Sequence, residues 1–333
     1  GPLAVGVAVA ITAAGVTNTA TVAGVVDSGG LIVEATMPEG AEHEFSATAK
    51  SGASGDGVSI AVSFALTIAN LSTIAQLAST ADVDVAGNTS LMAKSLGTTE
   101  TAATPNEDVA GGSLGIGASV ALSNINDDAS ALIADGATLP LAPLALTGDL
   151  SLVAVGGHSS STTARAGAGS SGVSLVPAVA ITISNITRIG RIDGSTDDAV
   201  SLMGSLTVAG RAPPATNTVE TTAQGSSTSS GSAAVGVSVA LTFANHDVIA
   251  TTTRDISAGV DVTIEAFGVS SSSATAIASA AGQDAGDDGA DTDGDGTDDA
   301  SGADALITQE RNQADSQAEA NGDAESGSGD AVT

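Results

Sequence analysis

The residues best suited to chemistry sit together in Asp291-Thr-Asp-Gly-Asp-Gly-Thr-Asp-Asp299. Carboxylates at alternate positions followed by glycine let a short loop wrap a hard cation in oxygen ligands. Asp291, Asp293 and Asp295 match the first, third and fifth places of a calcium loop. Asp298 or Asp299 could complete the shell, and calcium is the cofactor that the spacing implies. The stretch is more like the aspartate-rich calcium repeats of extracellular proteins than an EF-hand, because its twelfth position is Gly302 and not Glu. The competing reading is a solvated acidic linker with diffuse cation condensation.

Catalysis has less to stand on, and no catalytic residue is assigned. His43, His158 and His246 fall far apart in the chain, and none lies in a metal spacing such as His-x-x-x-His. Glu42-His43-Glu44 and His246-Asp247 read as local pairings on surface loops. A groove that cleaves sugar polymers needs clustered carboxylates with basic residues or aromatic platforms. Here there is no Trp or Tyr, and Lys50, Lys94, Arg165, Arg188, Arg191, Arg211 and Arg254 are scattered. Arg188 and Arg191 read either as a small basic spot or, as is more usual for such arginines, as partners of nearby acids, here Asp193 or Asp197.

Charge narrows the partners. Eight Lys or Arg against 38 Asp or Glu give a formal charge of −30, which repels nucleic acid and anionic membrane surfaces. No Cys is present, so disulfides and thiolate metal sites are excluded. Each apolar stretch meets polar residues within about a dozen positions, too short for a membrane-spanning helix.

What must position these residues is a repeat. Val5 to Gly15, Ile60 to Asn70, Ile116 to Asn126, Leu175 to Asn185 and Val235 to Asn245 align, with steps of 55, 56, 59 and 60 residues between their ends. Every repeat carries an apolar run and a short Thr/Ala/Ile piece. After these come a large-x-large-x-small pattern, as in Leu150-x-Leu152-x-Ala154, and a Ser/Thr/Ala tract. The period of two and the Val, Ile and Thr content predict strands, the apolar run being buried on both sides or wedged between neighbouring coils. At about 3.3 Å per residue that run is long for one strand. The small-residue column Gly6, Ala61, Gly117, Val176 and Gly236, with Pro177 after it, is therefore expected to mark a bend, giving about two coils per repeat. The Asn that closes each run from the second onward is expected at a turn, or in a ladder along the axis.

Low aromatic content and 41 glycines suit a thin structure with close walls. The expected fold is all-β: a parallel β-helix, or β-solenoid, of about five imperfect 55–60-residue repeats. These cover residues 1–55, 56–111, 112–172, 173–231 and 232–281, followed by an acidic low-complexity segment over 282–333 that is a possible calcium-binding insertion. That segment holds fifteen acids against the single base Arg311.

The order of apolar run, Asn, Thr/Ala strand, Gly-Asp-Leu-x-Leu-x-Ala and Ser/Thr-Ala tract, over residues 1 to about 281, resembles the long repeats of large secreted bacterial filamentous adhesins, the haemagglutinin-like and leukotoxin-like surface proteins. The resemblance implies a right-handed parallel β-helix, export to the cell surface, and attachment or a biofilm-matrix role without catalysis. Its partners would be a host or neighbouring cell surface, matrix polysaccharide or protein, and further copies end to end. Gly1-Pro2-Leu3 runs straight into the first repeat, so the chain is expected to be a piece of a longer protein. Two other readings stay open. One is a carbohydrate-active β-helix enzyme. The other is an ice-binding solenoid, disfavoured because the threonine tracts are not expected to stack in one array.

Overall fold

A computed structural model describes residues 2–105, 109–139, 147–195, 199–213, 217–231 and 233–282. The chain divides into two units, Gly1–Gly282 and Gln283–Thr333, and the second lies outside the described residues. The first repeat supplies β1 (Leu3–Val22), β2 (Val25–Ser28), β3 (Leu31–Ala35), β4 (His43–Ser51) and β5 (Ser54–Gly55). The second supplies β6 (Val58–Leu77), β7 (Asp82–Val85), β8 (Thr89–Pro105) and β9 (Val109–Gly111). The third supplies β10 (Leu114–Ile133) and β11 (Leu150–Ser170). The fourth gives β12 (Val173–Ile192), β13 (Val200–Leu202), β14 (Leu206–Ala212) and β15 (Thr218–Ser229). The fifth gives β16 (Ala233–Thr252), β17 (Ile256–Ala258), β18 (Val262–Gly268) and β19 (Ser271–Ala281).

The unit is all-β, its sheets are parallel, and no helix occurs among the described residues. One sheet has the order β1-β6-β10-β12-β16, so neighbours are strands from successive repeats. In the other, β3 and β4 pair with β8, β8 with β11, and β11 with β14 and β15, which pair with β18 and β19. Short pairs β2–β7 and β13–β17 lie between the long strands in sequence. Neither large sheet closes on itself.

The large-x-large-x-small pattern falls in register residue by residue. Leu152 pairs with Leu91 and Val208, and Ala154 with Ala93 and Gly210. Val33, Leu91, Leu152 and Val208 point inward with Leu77, Ile133 and Ile192 of the first sheet, making a core of large side chains at the carboxyl ends of the first-sheet strands. Each such residue, once fully buried, contributes roughly 1.5–3 kcal/mol. Towards the amino ends of those strands the core is almost all alanine: Ala61, Ala65, Ala121, Ala178 and Ala180 against Ala47, Ala103, Ala164 and Ala223. The two sheets are close there and wedge apart towards the large residues.

Three expectations about the apolar run are corrected. It does not bend: with the Thr/Ala/Ile piece it forms one strand of 20 residues in every repeat. Each repeat thus supplies one long first-sheet strand and one return path, not two coils. The small-residue column marks close approach of the sheets, since a Cβ on Gly117 would lie 2.2 Å from the Gly167 carbonyl oxygen. Pro177 is accommodated by a local gap. Pairing of β10 with β12 skips Gly117 and Ala118 and resumes at Ser119↔Ala178, as expected where a residue has no N–H to give.

The Asn column is not at a turn either, because Asn70, Asn126, Asn185 and Asn245 lie inside strands. The ladder alternative holds for three of them. Asn126 Nδ2 donates to Asn70 Oδ1 at 2.8 Å and Asn185 Nδ2 to Asn126 Oδ1 at 2.9 Å. Finally, the run is not buried on both faces. Its small alternate residues, such as Ala65, Ser63 and Ala121, are inside, and its large ones are outside.

Gly15 pairs with Asn70 and has open space around its Cβ direction. Gly15→Asn should extend the amide ladder and raise stability by about 0.5–1 kcal/mol. Gly117→Ala should cost about 1–3 kcal/mol or more, because the facing backbone must retreat. Urea midpoints of the two variants moving in the same direction would contradict this account of the column.

Candidate functional site

The interior between the sheets holds one fully buried ionic centre. Asp127 occupies an inward column of the first sheet in which the other repeats place Val16, Leu71, Ile186 and His246. Arg188, two residues along β12 from Ile186, reaches back across the tier. Its Nη2 lies 2.9 Å from Asp127 Oδ2 and its Nη1 donates to the Asp127 carbonyl at 2.7 Å. From the facing sheet, His158 brings Nδ1 to 3.3 Å from Asp127 Oδ2. Ser95 Oγ donates to Asp127 Oδ1 at 2.6 Å. Thr99 Oγ1 lies 2.8 Å from His158 Nε2. The carboxylate can only accept, so Nδ1 carries the hydrogen towards it, while Nε2 and the threonine hydroxyl share the second bond. Gly97 makes the room: a Cβ there would lie 2.5 Å from His158 Nδ1. Phe45 stacks on the other side of the imidazole, with ring centroids 6.4 Å apart and planes within 4°.

The electrostatics follow from burial and donors. Burial acts to raise the Asp127 pKa, but the His158 hydrogen bond, the Arg188 charge and the Ser95 hydroxyl overcome it and hold the carboxyl below its ordinary 3.8. His246, beside Ile186 in the same column, is held below the ordinary 6.5 by burial and then by the Arg188 charge, against the pull of Asp247. It borders a cavity of 280 Å³ shared with Asn217, Val248 and Ser270.

Thr99, His158 and Asp127 follow the hydroxyl–imidazole–carboxylate order of a nucleophilic triad. They are 3%, 1% and 0% exposed, and Arg188 shares the carboxylate. In this setting the carboxylate's donors come from both sheets and three repeats, which is how a buried charge is made tolerable.

Several sequence expectations change here. Asp291, Asp293, Asp295, Asp298 and Asp299 lie outside the described residues. Among the described residues no group of three His, Asp or Glu side chains is placed to hold a metal. His43 and His246 are on strands β4 and β16, not on surface loops. Arg188 is not part of a surface basic spot: it is fully buried. Arg191 does pair with Asp193, at 2.9 Å. Arg254, 5% exposed, donates to the carbonyls of Asp193, Ala137 and Ala134 at 2.7, 2.9 and 2.9 Å. The signal for Asp127 was present in the alignment of repeats, as the one acid in a column otherwise apolar or His.

The outer faces of the two sheets are unlike. Outside the first sheet, Val5–Ile60–Ile116–Leu175–Val235, Val9–Phe64–Val120–Val179–Val239 and Ile11–Leu66–Leu122–Ile181–Leu241 stack in register. The large apolar residues of the two outer strands are well exposed there, from 39% at Val239 to 67% at Val7. The Asn row closes this area, and the next outward column is Thr17, Ser72, Asp128, Thr187 and Asp247. Outside the second sheet stand Ser46–Glu100–Ser161–Glu220–Ser273, with Glu44, Thr98 and Ser159 alongside, bordering a groove of 560 Å³. Thr163, Thr222 and Thr275, expected not to stack, do fall in one outward column, which Ala102 interrupts before Thr48.

No protein-family model, characterised protein or solved structure matches this chain. Among the described residues no helix is long and apolar enough to cross a membrane.

Because Asp127 and His246 both bind protons more weakly folded than unfolded, the unfolded chain holds more protons on acidification. Unfolding free energy should therefore fall as pH drops below about 6.5, and fall again below about 4. Asp127→Ala should cost about 3–5 kcal/mol by stranding Arg188, and Asp127→Ala/Arg188→Met should recover part of it. Urea titrations between pH 3 and 8 that are flat for the wild type would remove the ionic centre from the stability account.

Proposed function

We propose that the chain is a non-catalytic structural and adhesive segment of an exported bacterial surface or matrix protein, built as a parallel β-solenoid of about five imperfect repeats. The support for the solenoid is the register. Every long strand pairs with the equivalent strand one repeat away, as in Leu3↔Val58, Leu114↔Val58 and Val173↔Ala233. A chain that goes out along one sheet, crosses a short side and returns along the other satisfies all of these pairings. The outermost first-sheet strands β1 and β16 offer edges for end-to-end association with further copies.

The observation that carries the adhesive reading is the outer face of the second sheet, where hydroxyls and carboxylates recur from tier to tier. At about 4.8 Å between strands, such rows meet a polymer or cell surface through many weak, equivalent contacts. Matrix polysaccharide and protein both carry the donors and acceptors to match them. Calcium held by Asp291, Asp293, Asp295 and Asp298 or Asp299 would stiffen the acidic segment and moderate the repulsion that a charge of −30 brings. The carbohydrate-active enzyme reading has one observation in its favour, the groove bordered by Glu44, Glu100 and Glu220.

Beads carrying the full chain at rising density should retain a matrix polysaccharide or cells with a steeper than linear dependence on density. A calcium chelator should weaken that retention. Release of new reducing ends from the polysaccharide would favour the enzyme, and retention that stays at background at every density would sink the adhesive reading.

A further inference from the structure

We propose that the outer face of the first sheet is a self-association surface, on which a second copy of this chain seats its own first sheet face to face. The face is continuous. It spans the outward residues of Leu3 to Ala13 and of the four segments paired with it, and every outward position except Asn124 is apolar. At about 3.3 Å per residue and about 4.8 Å per strand, it measures roughly 35 Å by 24 Å, or about 800 Å². Monomeric soluble proteins rarely leave an apolar area of that size uncovered. The same figure, about 800 Å² per partner, is what a stable specific interface buries.

Charge selects the face. A second copy brings the same charge of −30, so copies can meet only where acids are absent. The second sheet presents Glu44, Glu100 and Glu220 outward, whereas the apolar segments of the first sheet contain no charged residue. Val, Ile and Leu in straight columns form ridges that interleave with an identical set at the usual face-to-face distance of about 10 Å. Asp128 and Asp247 lie just beyond the Asn row. Strands of the two copies running in opposite directions keep those acids apart, so the two-fold arrangement is antiparallel. Edge pairing through β1 or β16 would instead add copies without closing. The inference is independent of the adhesive reading, which concerns the opposite face.

Light scattering and sedimentation of the full chain at micromolar concentration should give a closed dimer. Val120→Lys/Ile181→Lys, two outward changes near the middle of the face, should give a monomer with an unchanged strand spectrum and a dimer dissociation constant at least about 100-fold weaker, since charges would have to be buried. The chain has no cysteine, so single cysteines report cleanly should the lysine variant fail to fold. Val120→Cys should oxidise to one disulfide-linked dimer, and Thr163→Cys on the opposite face should not. A wild-type monomer at every concentration would overturn the proposal, as would a dimer that survives both lysines. A monomer that floats with neutral phosphatidylcholine vesicles would overturn it too, assigning the face to lipid.

Discussion

Between the first sheet at Gly117 and the second at Gly167 there is no room for a methyl group, and the same holds between Gly6 and Gly52 and between Gly236 and Ser279. Two backbones this close leave mainly small residues on the facing sides, and the core there is alanine with Val176 as its one larger member. A strand has two faces and alternates between them, so β-branched residues that favour a strand have room only on the other side, where the first sheet carries Val, Ile and Leu. The usual arrangement of large residues inside and small ones outside is thus inverted along the first eleven or so residues of each first-sheet strand. It reverts only where the sheets wedge apart and Leu77, Ile133 and Ile192 turn inward.

A thin interior of small side chains supplies little apolar burial per residue, so the pairing of its polar groups carries more weight. Thr242, Thr221, Thr182 and Thr162 come alternately from the two sheets and are linked hydroxyl to hydroxyl at 2.7, 2.7 and 2.8 Å. Each hydroxyl in such a chain can donate once and accept once, so the row polarises cooperatively and ties the sheets together across the tiers. Thr101 and Thr67 continue the pattern at 2.7 Å, but Ser123, in the corresponding place of the third repeat, has no hydrogen-bond partner. The third repeat has its own tie between the sheets in Asp127, four residues further along the same strand. Asp127 and Arg188 come from one sheet, Ser95 and His158 from the other, and the vacancy at Gly97 lets the imidazole lie across the tier.

Much of this was legible in the sequence, for a definite reason. The large-x-large-x-small pattern predicts both strand and register, because a period of two combined with a fixed repeat leaves one alignment in which Leu152 meets Leu91 and Val208. The Asn ladder could be foreseen for the same reason. What could not be read was depth. Whether Gly117 marks a bend or a close approach depends on what faces it, and the facing residue, Gly167, is fifty positions away. The length of the first-sheet strands was not legible either, since strands of 20 residues are well beyond the usual length and depend on the register with neighbouring repeats. The buried centre was harder still. It needs residues from three repeats, and His158 becomes its member only through the absence of a side chain at Gly97.

The two outer faces sharpen the question of what the apolar columns are for. Both sheets are parallel, both pair over the same repeats, and both face inward with small or aliphatic residues, so folding makes equal demands on their outer sides. Threonine and serine meet those demands on the second sheet, where β-propensity and solubility are served together by Thr163, Thr222 and Thr275. Nothing in the ladder prevents the same solution on the first sheet, and Thr17, Thr19 and Thr21 adopt it beyond the Asn row. Val5 to Ile11 and their counterparts do not. The aliphatic side chains are dense from the first residues of each strand to the Asn row, whereas beyond it Ile74, Leu132, Ile189 and Ile249 stand outward among Thr, Ser, Gln, Arg and Asp, so the dense area has the outline of a contact. The proposed pairing of copies would supply a cause outside the single chain, because hydrophobic stabilisation missing from the thin interior would then be recovered between copies.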